Sequence, residues 1–147
     1  MSGPRRADRA ARVVIFHSLE HARAALAAAG EARVPLVLRT APGAAAYAGV
    51  GYLKAIVARA RAEASDVAVR AEIDCGEDPG LALAALRAGW TALRLSGRAD
   101  VRRKIAEIAK AQGARLVSDE PGAPPLDLLD ARDPKAACRA FFEAPQE

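Results

Sequence analysis

The feature that most constrains this chain is a pattern that recurs four times: a short apolar run followed by a stretch with helical spacing. The runs are Arg12-Val-Val-Ile-Phe16, Pro35-Leu-Val-Leu38, Val67-Ala-Val-Arg-Ala-Glu-Ile-Asp-Cys-Gly76 and Thr91-Ala-Leu-Arg-Leu95. Each is largely apolar through its length, as strands covered on both faces are. Strand–helix units in series predict a parallel sheet with right-handed crossovers. A fifth short strand is expected at Leu116 and Val117, and a further short strand at Leu126–Leu129. The fold class is therefore α/β, with a parallel sheet of about five strands and alternating helices. Periodicity leaves two closures open: part of a (β/α)8 barrel, or an open flavodoxin-like three-layer sandwich. The sandwich would place strand one inside the sheet, with strands on both sides of it.

Punctuation supports the helices. Ser18 is placed to N-cap a helix reaching about Gly30, although His21 stands where a capping box would want Glu. Ala41 to Gly49 reads as a loop, followed by a helix from about Gly51 to Ala64. Asp78 and Pro79 supply an N-cap and a first-position proline for a helix stopped by Gly89. Asp100 to Gln112 is the next helix, stopped by Gly113. Pro121, Gly122, Pro124 and Pro125 mark a linker, and a last helix is expected from Pro134 to about Glu143. The expected organisation is a basic, disordered tail over 1–11, an α/β domain over 12–122, and a Pro-rich linker with a C-terminal helix over 123–147 that packs on the same domain.

With 147 residues, 52% hydrophobic and 27% charged, the chain suits one soluble domain with a real core. The net charge of +4 raises nucleic acid as a partner, but the arginines are spread along helices apart from Arg5, Arg6, Arg9 and Arg12. There is no aromatic stacking platform, so specific nucleic-acid binding is not expected. No apolar run is long enough for a membrane span or an export signal. Two widely spaced cysteines, Cys75 and Cys138, fit a reducing compartment, and a cytoplasmic location is expected.

In parallel α/β proteins ligands bind at the carboxyl ends of strands, and Asp74, Cys75 and Gly76 fall at such an end. Asp74 is the candidate acid or base. Cys75 could be a reactive thiol, but Glu72, Asp74, Glu77 and Asp78 would oppose a thiolate, and a small buried hydrophobe is the simpler reading. The Gly43–Gly51 segment lacks the Lys-Ser/Thr of a phosphate-binding P-loop and reads as a turn before a helix. His17 and His21 read as partly exposed loop residues, and Trp90 and Tyr47 as core anchors.

These residues, taken in order, resemble the first half of a class II, zinc-dependent fructose-bisphosphate aldolase. That family's loop Ser-x-Gly-Ala-x-x-Tyr-x-Gly is matched by Ala41-Pro-Gly-Ala-Ala-Ala-Tyr-Ala-Gly49. Its third strand, ending His-Leu-Asp-His-Gly, is matched by Glu72-Ile-Asp-Cys-Gly76. His17-Ser-Leu-Glu20, Pro35-Leu-Val-Leu38, Gly89 to Ser96 and Gly113 to Gly122 follow the family's pattern at nearly constant spacing. The resemblance implies part of a (β/α)8 barrel, with Asp74 in the proton-transferring position. It puts Cys75 in place of a zinc-binding histidine and Glu120 near the position of a glutamate close to the metal. Zinc is thus the cofactor that Cys75 and Glu120 would hold, but thiolate in place of imidazole would blunt its Lewis acidity. Ala41 replaces a substrate-contacting serine and Ser96 an aspartate. The family's later histidines and its phosphate-holding loops have no counterpart in these residues.

The expectation is therefore an aldolase-like protein that does not catalyse, with no cofactor as the simpler outcome. It would act by binding a small phosphorylated ligand or a protein partner, including a homodimer that covers the sheet edge. The alternatives are a small metal- or thiol-dependent lyase built on Asp74 and Cys75, and an unrelated α/β interaction or signalling domain.

Overall fold

The computed structural model describes residues 10–118 and 124–145. The elements run β1 (Arg12–Phe16), α1 (Leu19–Ala32), β2 (Leu36–Thr40), α2 (Ala44–Ala48), α3 (Val50–Glu63), β3 (Val69–Asp74), α4 (Pro79–Arg87), β4 (Ala92–Arg94), α5 (Ala99–Ala111), β5 (Arg115–Leu116), β6 (Leu126–Asp127) and α6 (Pro134–Glu143). The six strands form one sheet in the order β5-β4-β3-β2-β1-β6. The pairings β1–β6, β3–β4 and β4–β5 are parallel.

That order decides against the flavodoxin-like sandwich. β1 does have a strand on each side, as the sandwich would require. However, β2 lies between β1 and β3, whereas a flavodoxin-like sheet puts its second and third strands on opposite sides of the first. Strands added in chain order, with the last one beside the first, follow the neighbour pattern of a barrel.

Packing divides the chain into two compact units, and the division cuts β2, α3 and β3. The first comprises Met1–Leu38, Ile56–Arg70 and Pro121–Glu147. Its core holds Val14, Phe16, Leu26, Leu36, Leu38 and Leu128, all essentially inaccessible. Each such side chain contributes about 1.5–3 kcal/mol relative to exposure. α6 packs on α1, and Leu128 donates its N–H to Ile15 O, extending the two-residue pairing of β6 with β1. Ser18 caps α1 by accepting from His21 N–H at 3.2 Å. α1 runs past Gly30 because that glycine serves packing instead: a Cβ there would sit 3.2 Å from a Val67 methyl. The left-handed residue that ends the helix is Arg33, at φ 55.

Arg12 departs from the basic tail with which it was grouped. It is buried in β1, its guanidinium lies 4.1 Å from the centroid of the Phe141 ring, and it donates to Ala144 O. Burial pushes its pKa down.

The second unit comprises Arg39–Ala55 and Ala71–Glu120, with Ile73, Leu93, Ala82, Ala85, Ile105 and Trp90 in its core. Asp78 caps α4 through the N–H groups of Gly80 and Leu81, with Pro79 at the first helical position. The Lys54 ammonium donates to Ala88 O at 2.8 Å, at the C-terminal end of the same helix, where a cation is favoured. The Ala41–Gly49 segment is not wholly a loop, because its alanine-rich middle forms α2 after Gly43 turns at φ 68. Trp90 is a core anchor, its indole N–H donating to Val50 O at 2.9 Å. Tyr47 is not, being 70% exposed on the short α2.

Candidate active site

The candidate site lies in the second unit, at the carboxyl ends of β2, β3 and β4. Asp74, the last residue of β3, has its side chain about one-fifth exposed. Its Oδ1 accepts from the backbone N–H of Gly43 and of Gly76, each at 2.9 Å. Its own N–H donates to Thr40 Oγ1 at 2.9 Å, and Arg94 Nε lies 3.9 Å from its Oδ2. One carboxylate therefore ties the turn after β2 to the turn after β3. Glycine is favoured at both turns: Gly43 and Gly76 have φ 68 and 60, in the left-handed region.

The turn after β3 is stitched to β4 as well. Cys75 N–H donates to Arg94 O, and Gly76 O accepts from both the N–H and the hydroxyl of Ser96. Cys75 itself is 1% exposed. Burial, followed by the charges of Asp74 and Asp78, pushes its thiol up to about 12. It is a protonated, packed side chain, neither a ready nucleophile nor a ready thiolate ligand.

Glu120, the other metal candidate, lies outside the described residues. Among the described residues, no group of three or more His, Cys, Asp or Glu side chains could hold a metal ion. Asp74 Oδ1 already accepts two hydrogen bonds, and Cys75 is closed and protonated. The described donors do not fit a zinc centre, which needs about three ligands and an open position.

Sequence reasoning missed two charged groupings. Glu72, in the middle of β3, is 1% exposed and accepts from Arg39 Nε at 3.0 Å, with an Arg94 nitrogen 3.9 Å away. A carboxylate between Ala71 and Ile73 in a strand was the available signal, since burial of a charge demands a partner. In the first unit, His17 Nε2 and Asp127 Oδ1 lie 2.6 Å apart, and His21 Nδ1 accepts from His17 N–H. Burial raises the Asp127 pKa, but the bonds from His17 and the Leu129 N–H outweigh it and hold the pKa below the usual value. His21 is pushed down, by burial first and His17 second. No sequence signal linked Asp127 to a histidine 110 positions away.

The sequence model of class-II fructose-bisphosphate aldolases matches residues 5–98. The chain belongs to that family. It is 30% identical over 114 residues to a fructose-bisphosphate aldolase of Cupriavidus necator, covering 68% of this chain and 33% of that protein. Its fold is similar to that of the YdjI aldolase of Escherichia coli K12, with a TM-score of 0.62 at 16% identity. A candidate fructose-1,6-bisphosphate aldolase of Coccidioides immitis aligns at 0.61 and 20%. Each structural match covers 73% of this chain and 44% of the other. The chain thus spans a third of the aldolase sequence it matches and under half of each aldolase structure.

Proposed function

We propose that this aldolase-family chain does not catalyse aldol cleavage and acts by binding a small phosphorylated ligand. The observation that carries the first half is the engagement of Asp74. Its Oδ1 is a fixed acceptor for Gly43 and Gly76, the role of a structural clasp rather than of a group free to exchange a proton with substrate. The buried Cys75 thiol supports the same reading. The ligand class is carried over from the relative's name, whose substrate is a sugar bisphosphate.

A ligand is favoured over a homodimer by the two edge strands, β5 and β6. Each is only two residues long, a length that blunts edge-to-edge pairing. No helix among the described residues is long and apolar enough to cross a membrane. Cys75 and Cys138 are both free and buried, which supports a cytoplasmic setting.

The test is turnover of fructose 1,6-bisphosphate by the purified chain, with and without added zinc, beside elemental mass spectrometry of the native protein. Absence of triose phosphate above background supports the proposal. Zinc-dependent cleavage that disappears in Cys75→Ala would sink it and establish the lyase alternative, with Cys75 and Glu120 as ligands.

A further inference from the structure

Helix α5 carries Ala99, Arg102, Arg103 and Ala106 at i, i+3, i+4 and i+7, so the four share one face. That face is not the one packed into the core, which is marked by the buried Ile105 and Ala109. Two alanine side chains are too short to fill the space beside the sheet. A groove of about 370 Å³ remains, with Leu95, Leu116, Val117 and Ser118 forming its other wall. Leu95 follows β4, and Val117 and Ser118 follow β5, so the groove opens at the carboxyl ends of those strands. Its volume is that of a small-ligand site.

The lining chemistry is one-sided. Among the described residues it contains two guanidinium groups, three large apolar side chains and one hydroxyl, with no carboxylate. Both arginines are exposed, and neither has a carboxylate partner among the described residues. The neighbouring Arg98 is committed to Asp100 through two bonds of 2.9 and 3.1 Å. Arg98 also leaves the first turn of α5 without a side-chain cap, so nearby N–H groups lack that acceptor. Two adjacent guanidiniums match a dianion, and their planar forks suit phosphate oxygens.

We propose that this groove binds a small phosphate ester. The phosphate lies against Arg102 and Arg103, and the carbon body lies on Leu95, Leu116 and Val117. The inference gives the ligand of the preceding section a place and rests on that ligand-binding reading. It does not involve Asp74.

The test uses the full chain, ¹⁵N-labelled, titrated with phenyl phosphate at constant ionic strength and, separately, with benzyl alcohol. The expected result is saturable movement of amides in 95–103 and 116–118 with phenyl phosphate and much weaker movement with the alcohol. Arg102→Ala/Arg103→Ala weakens binding by roughly 10- to 100-fold, the loss of one or more charge-assisted hydrogen bonds. Its melting temperature stays near that of the parent, because both side chains are exposed. Shifts that are absent, that follow ionic strength alone, or that survive the double variant overturn the groove. Saturable shifts centred on Gly43 and Gly76 would also overturn the groove while leaving the ligand-binding reading intact. Fructose bisphosphate turnover with the groove shifts unchanged would overturn the non-catalytic reading and support the groove.

Discussion

Asp74→Ala removes the acceptor for two backbone N–H groups at 2.9 Å and the anion 3.9 Å from the Arg94 guanidinium. Hydrogen bonds to a charged group contribute about 1.5–3 kcal/mol each, and a buried donor left unsatisfied costs about 1–3 kcal/mol. The carboxylate is 20% exposed, so water can replace part of what is lost. The lower end applies, and the total is about 3 kcal/mol. At about 2–4 °C per kcal/mol for a domain of this size, melting falls by roughly 6–12 °C. Asp74→Asn keeps an oxygen acceptor but loses the charge, and about half the destabilisation follows. Gly43→Ala probes the other side of the clasp: it forces a Cβ onto φ 68 and costs about 1–2 kcal/mol, although no atom crowds the site. Urea unfolding followed by circular dichroism measures all three. An Asp74→Ala variant within about 0.5 kcal/mol of the parent refutes the clasp, since that is the range of an ordinary surface change. A variant more stable than the parent refutes it more strongly, because it would mark a carboxylate kept for chemistry at a cost to folding.

Three further measurements probe other parts of the molecule. Cys75 and Cys138 have thiols raised to about 12 and about 11. Between pH 9 and those values the unfolded chain loses protons that the folded chain keeps, so stability falls as pH rises; Cys75→Ala is expected to flatten that alkaline slope. Glu31 is held at about 2 by hydrogen bonds from Arg139 and Lys135, which link α6 to α1. Its contribution is present above the ordinary carboxylate range and is lost as pH falls towards 2. Glu31→Gln or high salt should therefore remove part of the acid dependence, a small effect because the groups are exposed. The third is substitution of the buried Glu72.

The strand–helix alternation was legible because a strand covered on both faces leaves a continuous apolar run, which short sequence windows register. The Asp78-Pro79 start of α4 was legible for a similar reason: capping is local chemistry. Tyr47 was misread as core because burial depends on which way a short helix faces, and no pattern within Ala44–Ala48 sets that. Gly30 was misread as a helix stop because its reason for being glycine is Val67, 37 positions away. At the candidate site the residue types of Asp74 and Cys75 were readable. The capture of Asp74 by Gly43 was not, since it depends on β2 and β3 being neighbours. The Cys75 side chain's closure likewise depends on its packing environment.

The centre of the second unit's sheet bears on what this chain can associate with. In β3, Glu72 and Asp74 point to one side and Ile73 to the other, with Leu93 beside Ile73 in the β3–β4 register. A closed barrel fills its interior with bulky branched residues. Here Arg39, Glu72 and Arg94 instead join neighbouring strands through charge, with the two arginine side chains each 17% exposed. Such a face would not supply the dry apolar core of a paired half-barrel, because the arginines would have to lose their remaining water as well. A monomer is the expected mass by light scattering. Glu72→Gln should cost about 2–3 kcal/mol, below the 3–5 kcal/mol for breaking a fully buried pair because both arginine side chains keep 17% exposure. Loss below about 0.5 kcal/mol would show that the cluster is idle. A dimer that dissociates in Glu72→Gln while the fold survives would show that the charged face is itself the interface, and the preference for a small ligand over a second copy would fall with it.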